Sequence, residues 1–129
     1  MKKSSCAAMA LILMLAASAN AATITLKAGD YGAAGLACDE QPNATTMSFD
    51  GRSFSYAHAS KCTDRIKKKQ AGVMTVVETC RAAGDGSPTH SNTQTYNLRQ
   101  NGSDRFTLIK AQSAMTFRRC GLLGYFNKH

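Results

Sequence analysis

Tryptophan is absent from this chain of 129 residues, proline occurs twice, and phenylalanine and tyrosine together number nine. With so few large apolar groups, the core must be thin for the chain's length, and covalent cross-links become the natural supplement. Acidic residues are also scarce, 8 against 16 Lys plus Arg, for a net charge of +8. That balance disfavours basic partners and favours anionic ones. There is no G-x-S-x-G, no H-E-x-x-H, no phosphate-binding glycine loop and no C-x₂-C pair, so the motifs of serine hydrolases, zinc proteases, nucleotide enzymes and structural zinc sites are missing. No metal or cofactor is expected, and an enzyme is disfavoured.

Long hydrophobic runs are missing too, apart from one. Residues 7–17 are apolar helix formers that follow Lys2 and Lys3 and lead to Ala19-Asn20-Ala21. The run is too short to span a bilayer, and its small-residue end predicts a bacterial secretory signal over 1–21, cleaved before Ala22. Cys6 precedes the run, so it is not placed to carry a lipid anchor. The remainder, 22–129, is predicted to be a single β domain without a transmembrane span, located in the periplasm or secreted. It keeps 14 of the 16 basic residues and all 8 acids, a net charge of +6. Four cysteines remain, Cys38, Cys62, Cys80 and Cys120, which in an exported chain predict two disulfides.

What is present is period-two patterning. Residues 22–27 alternate Ile24 and Leu26 with threonines, predicting a strand, whereas the glycine-rich stretch from Ala28 to Cys38 predicts an irregular connection. Asp50-Gly51 sits between two alternating runs and predicts a tight hairpin pairing Met47 with Phe54 and Thr45 with Tyr56, with Met47, Phe49, Phe54 and Tyr56 on one face. Residues 73–80 are β-branched and predict a strand, preceded by a turn over 67–72. Residues 84–88 break the chain. A second hairpin centred on Gly102 pairs Leu98 with Phe106 and Tyr96 with Leu108, and 113–120 supply a last strand with Met115 and Phe117 inward. The fold class predicted is all-β, a small antiparallel sandwich or barrel of roughly six to eight short strands.

Cys38 and Cys62 lie nearly equidistant from Asp50-Gly51, and a bulge near Pro42 would absorb the odd residue. A turn near Lys69 would leave Cys80 several residues from Cys62. The pairing favoured is therefore Cys38–Cys62 with Cys80–Cys120.

Arg65, Lys67, Lys68 and Lys69 place four cations within five residues. Such a cluster suits phosphate, an acidic glycan or an acidic protein; the simpler reading is a lysine-protected strand connection. No aromatic residue accompanies it, which counts against nucleic acid. Arg118 and Arg119 form a second candidate. Parity puts Arg119 on the side of Met115 and Phe117, where it would meet a carboxylate such as Glu78 or an anionic ligand. The other cations, Lys27, Arg52, Arg81, Arg99, Arg105 and Lys110 among them, look dispersed. His58 and His90 offer an acid–base pair for a small basic ribonuclease-like hydrolase if folding brings both to one phosphate. The acids Asp30, Asp50, Asp85 and Asp104 are expected at turns, and Asp39-Glu40 would point apart in a strand.

A signal, short strands and paired cysteines resemble the general type of small periplasmic β-proteins that includes bacterial lysozyme inhibitors and toxin-immunity proteins. Residues 53–61 (SFSYAHASK) share serines and a tyrosine with the inhibitory loop of one lysozyme-inhibitor family but lack its glycine and residue order. The expected function is a non-enzymatic periplasmic β-domain that binds a protein or anionic envelope partner, with an inhibitor or immunity role as its most concrete form. The alternatives are the histidine hydrolase and a structural envelope protein with no single ligand.

Overall fold

In the computed structural model, which describes residues 22–128, the chain forms eight antiparallel strands. They are β1 (Gly29–Ala33), β2 (Thr46–Phe49), β3 (Phe54–Tyr56), β4 (Ala59–Gln70), β5 (Val73–Ala83), β6 (Pro88–Gln100), β7 (Arg105–Lys110) and β8 (Ser113–Gly121). The expected signal segment, 1–21, lies outside the described residues. Sheet order is β3-β2-β1-β8-β7-β6-β5-β4, so all sequence neighbours except β3 and β4 pair, and β8 returns to β1. β3 lies against β4 without a ladder, leaving one seam in a nearly closed barrel. Closure removes all but this edge from the sheet. Among the described residues no helix is long and apolar enough to cross a membrane.

Both predicted hairpins form with their registers moved by two residues. Phe49 pairs with Phe54 and Met47 with Tyr56; Leu98 pairs with Leu108 and Gln100 with Phe106. The first connection holds four residues, 50–53, because the Asp50 carboxylate accepts the N–H groups of Arg52 and Ser53, both at 2.8 Å, and widens the turn. The second is closed by Asn101 N–H donating to the Arg105 carbonyl at 2.9 Å. A shift of two preserves the side-chain face, so Met47, Phe49 and Phe54 of the first hairpin and Tyr96, Leu98, Phe106 and Leu108 of the second are buried as their patterns require.

Three strand assignments change. Residues 22–27 join no ladder: Gln100 bonds the backbone and hydroxyl of Thr25, Lys27 N–H donates to the Ser103 carbonyl, and Leu26 plugs that end of the core. The glycine-rich stretch instead supplies β1, because the pairing positions beside β2 and β8 start at Gly29. Gly32 is needed there, since a Cβ would come within 2.6 Å of the Gln41 side chain that bonds both the N–H and the carbonyl of Ala33. Lys67, Lys68 and Lys69 belong to β4 rather than to a turn; the turn is 71–72 alone, with φ of 53° at Ala71 and 76° at Gly72.

The disulfides are Cys38–Cys120 and Cys62–Cys80, so the expected connectivity is wrong. The β4–β5 turn sits later than expected, and a one-residue bulge at Lys67 adjusts the register until Cys62 stands directly opposite Cys80. Cys38 lies in a segment folded back over β1 and β8. There Gln41 holds Ala33, and Arg118 donates to the Leu36 carbonyl and Cys38 Sγ, which brings Cys38 to β8. Asp30 is buried in β1 instead of standing at a turn, accepting Ser48 Oγ at 2.7 Å and Phe126 N–H at 3.2 Å. Met115 shares the face of Phe117 but stands 46 % exposed near the turn end of the β7–β8 hairpin.

The scarce rings are concentrated. Phe106 is fully buried, with Tyr31, Phe54 and Phe117 centred 5.2, 5.3 and 5.3 Å from it. Phe106→Ala is therefore expected to cost about 3–5 kcal/mol, read as a lowered urea midpoint. A cost below about 1 kcal/mol would show that the four rings are not the centre of the core.

Candidate functional site

Strict alternation along β5 sorts the barrel into two chemistries. Met74, Val76, Glu78, Cys80 and Ala82 point inward and are buried, while Thr75, Val77, Thr79 and Arg81 point outward. The register carries this division across the sheet. Lys68 is opposite Thr75, Arg65 opposite Val77 and Thr63 opposite Thr79. On the other side Arg99 is opposite Val73, and Thr95 and Thr93 continue the same rows. Arg105 follows on β7, opposite Arg118.

The outward face of β4–β7 thus carries Arg65, Lys68, Arg81, Arg99 and Arg105, all exposed. Threonines fill much of the rest, and cross-strand hydroxyl bonds such as Thr79–Thr93 at 2.9 Å tie them together. No carboxylate points outward from these four strands: the two acids they contain, Asp64 and Glu78, sit opposite one another on the inner side. Among the described residues, none of the five cations is in an ion pair; Arg81 donates to Thr63 Oγ1 at 3.0 Å. At a strand spacing of about 4.8 Å, the four strands present a strip roughly 15 Å wide. Its cations look dispersed in the sequence because they come from three hairpins.

Of the residues singled out in sequence, Arg65, Lys67, Lys68 and Lys69 are all exposed on β4. The bulge sends Lys68 to the outer face and sets Lys69 opposite inward-facing Met74, at the rim of the barrel. Arg118 spends its guanidinium on Leu36 and Cys38. Arg119 is half-buried and donates to the Ala28 carbonyl at 3.0 Å, so the expected pairing with Glu78 does not form. His58 precedes β4, exposed and stacked on Tyr56 with centroids 5.5 Å apart; His90 is exposed on β6, with β5 between the two strands. Among the described residues no hydrogen-bond partner is common to the two histidines.

The inner side holds a polar cluster that sequence reasoning missed. Glu78 is fully buried and accepts Tyr56 OH and Gln94 Nε2, each at 2.7 Å. Asp64 accepts Phe54 N–H at 2.7 Å and Tyr96 OH at 3.2 Å, binding β3 to β4 across the seam. Burial, then a hydrogen bond with Glu78 and its charge, push the Asp64 carboxyl up to about 8. Burial likewise raises the phenols of Tyr56 and Tyr96, with the neighbouring acids reinforcing the effect, so both stay neutral. The signal for this cluster was an acid at an inward parity position in each of two paired strands, visible only once their register is known.

Glu78 also lies within 4.8 Å of the sulfurs of Cys62 and Cys80. Those sulfurs are joined to each other, so they offer no thiolate to a metal ion. Comparison with protein-family models, with curated proteins and with solved structures finds no match to this chain.

Proposed function

We propose that this protein is a small exported, non-enzymatic β-barrel that binds an anionic envelope partner through the outward face of β4–β7 and the adjoining lysines of β4. The carrying observation is the segregation of charge: Arg65, Lys68, Arg81, Arg99 and Arg105 face out, while both acids of the same strands face in. An acid-free cationic strip concentrates an anion in front of it, and exposed guanidinium forks suit sulfate, phosphate and carboxylate groups. The outward positions of β4–β7 hold no aromatic ring, so the face can contact a charged backbone without stacking bases. Two disulfides and the signal-like start of the chain support a location in the periplasm or outside the cell. An inhibitor or immunity role is the version in which the anionic partner is a protein surface.

The test is retention on heparin, a soluble sulfated polyanion, across a salt gradient. Arg65→Glu/Lys68→Glu/Arg99→Glu should weaken binding roughly tenfold or more and flatten its salt dependence, with an unchanged thermal midpoint. Retention equal to that of the unaltered protein would overturn the proposal. Cleavage of RNA that disappears in His58→Ala would replace it with the hydrolase reading.

A further inference from the structure

Two leucines stand out at one end of the barrel. Leu122 is 76 % exposed and Leu123 is 52 % exposed, directly after β8. A single exposed leucine means little, whereas adjacent ones on a fixed support form a small apolar knob. The support here is rigid. Cys120, two residues before Leu122, is bonded to Cys38, and Tyr125 packs against Gly121 on the other side. Leu36, 40 % exposed, lies two residues before Cys38 and so belongs to the same neighbourhood.

The surroundings of the knob follow from topology. β8 ends where β1 begins, Gly121 being opposite Asp30, and this is the end at which β2 turns into β3, β4 into β5 and β6 into β7. Arg52, Lys69, Arg99 and Arg105 are exposed at that same end. Asp50 and Asp104 are also there; the Asp50 side chain is engaged within its own turn. The barrel therefore presents two leucines within a predominantly cationic rim, continuous with the acid-free face of β4–β7.

We propose that this end of the barrel docks on an anionic lipid surface, with Leu122 and Leu123 entering the headgroup–acyl boundary and Arg52, Lys69, Arg99 and Arg105 meeting lipid phosphates. The inference rests on the cationic-binding reading above and names its partner. Charge complementarity chooses the occupant. A second copy of this chain would bring a like-charged rim against the rim, and a soluble polyanion has no use for the leucines. Peripheral binding of this kind needs both signals, since neither a few cations nor a small apolar contact holds a protein on a membrane alone.

The experiment is co-sedimentation with phosphatidylcholine vesicles, with and without phosphatidylglycerol, alongside heparin retention. The unaltered protein should sediment with the phosphatidylglycerol vesicles only, less so as salt rises. Leu122→Ser/Leu123→Ser leaves the charge unchanged and alters exposed side chains only, so folding should be preserved. It should lose vesicle binding roughly tenfold or more while keeping its heparin retention. Unchanged vesicle binding in that variant would overturn lipid docking and leave the cationic face standing. Failure of the unaltered protein to bind either heparin or vesicles would overturn both.

Discussion

Raising the pH from about 4 to about 8 is expected to destabilise this protein, and Glu78→Gln to weaken that dependence without abolishing it. Asp64 ordinarily titrates at 3.8 and is pushed up to about 8 in the fold, chiefly by burial and then by Glu78. Between these values the folded chain holds a proton that the unfolded chain has released, so stability falls as pH rises. The contribution is complete below about 4 and lost by about 8. One proton corresponds to at most about 1.4 kcal/mol per pH unit; because Asp64 is only partly buried, solvent screening reduces this to a total on the order of 2–3 kcal/mol.

The two phenols around the pair do not compete in that window. Tyr56 and Tyr96 stay neutral, His58 stacks on Tyr56 at the surface, and Lys110 on β7 donates to Gln94 at 3.2 Å. Asp85, held below its ordinary range by the Ser87 hydroxyl and N–H, acts at lower pH and in the opposite sense. Urea midpoints at pH 5 and pH 8.5 check the expectation. A midpoint that rises over this interval would show that Asp64 does not retain its proton, and an equal fall in Glu78→Gln would show that burial alone retains it.

Loss of Cys38–Cys120 should be the costliest covalent change. It joins residues 82 apart, against 18 for Cys62–Cys80. Loop-closure entropy assigns about 4.5 kcal/mol to the longer loop and about 3 kcal/mol to the shorter. The longer link also pins the 34–41 segment over β1 and β8, whose pairing closes the barrel, whereas Cys62 and Cys80 are already neighbours in a ladder. Cys38→Ser/Cys120→Ser should therefore lower the thermal midpoint further than Cys62→Ser/Cys80→Ser. The reverse order would mean that the seam-side hairpin, and not the β1–β8 closure, limits stability.

The candidate site was only partly legible in the sequence. Arg65, Lys67, Lys68 and Lys69 are contiguous, and any reading of charge finds them. Arg81, Arg99 and Arg105 join Arg65 and Lys68 only through pairings among β4, β5, β6 and β7. Asp64 and Glu78 are unremarkable acids until a one-residue bulge at Lys67 sets them opposite each other. Arg119 shows the limit of parity: its side could be read from Phe117, but its partner depended on which backbone carbonyl β1 brought within reach.

Composition and period-two patterning determined by themselves that this is an all-β chain, that two hairpins carry Met47, Phe49, Phe54, Leu98 and Phe106 on one face, and that the domain contains two disulfides. The first two properties follow from local sterics and alternation, the third from an even count of cysteines, and a register error of two leaves them intact. Tertiary structure alone decided the registers, the disulfide partners, the burial of Asp30 and the gathering of cations on one face. Each of these depends on turn length, a bulge or the return of β8 to β1, and a single residue's change in any of them moves a side chain to the other side of the sheet.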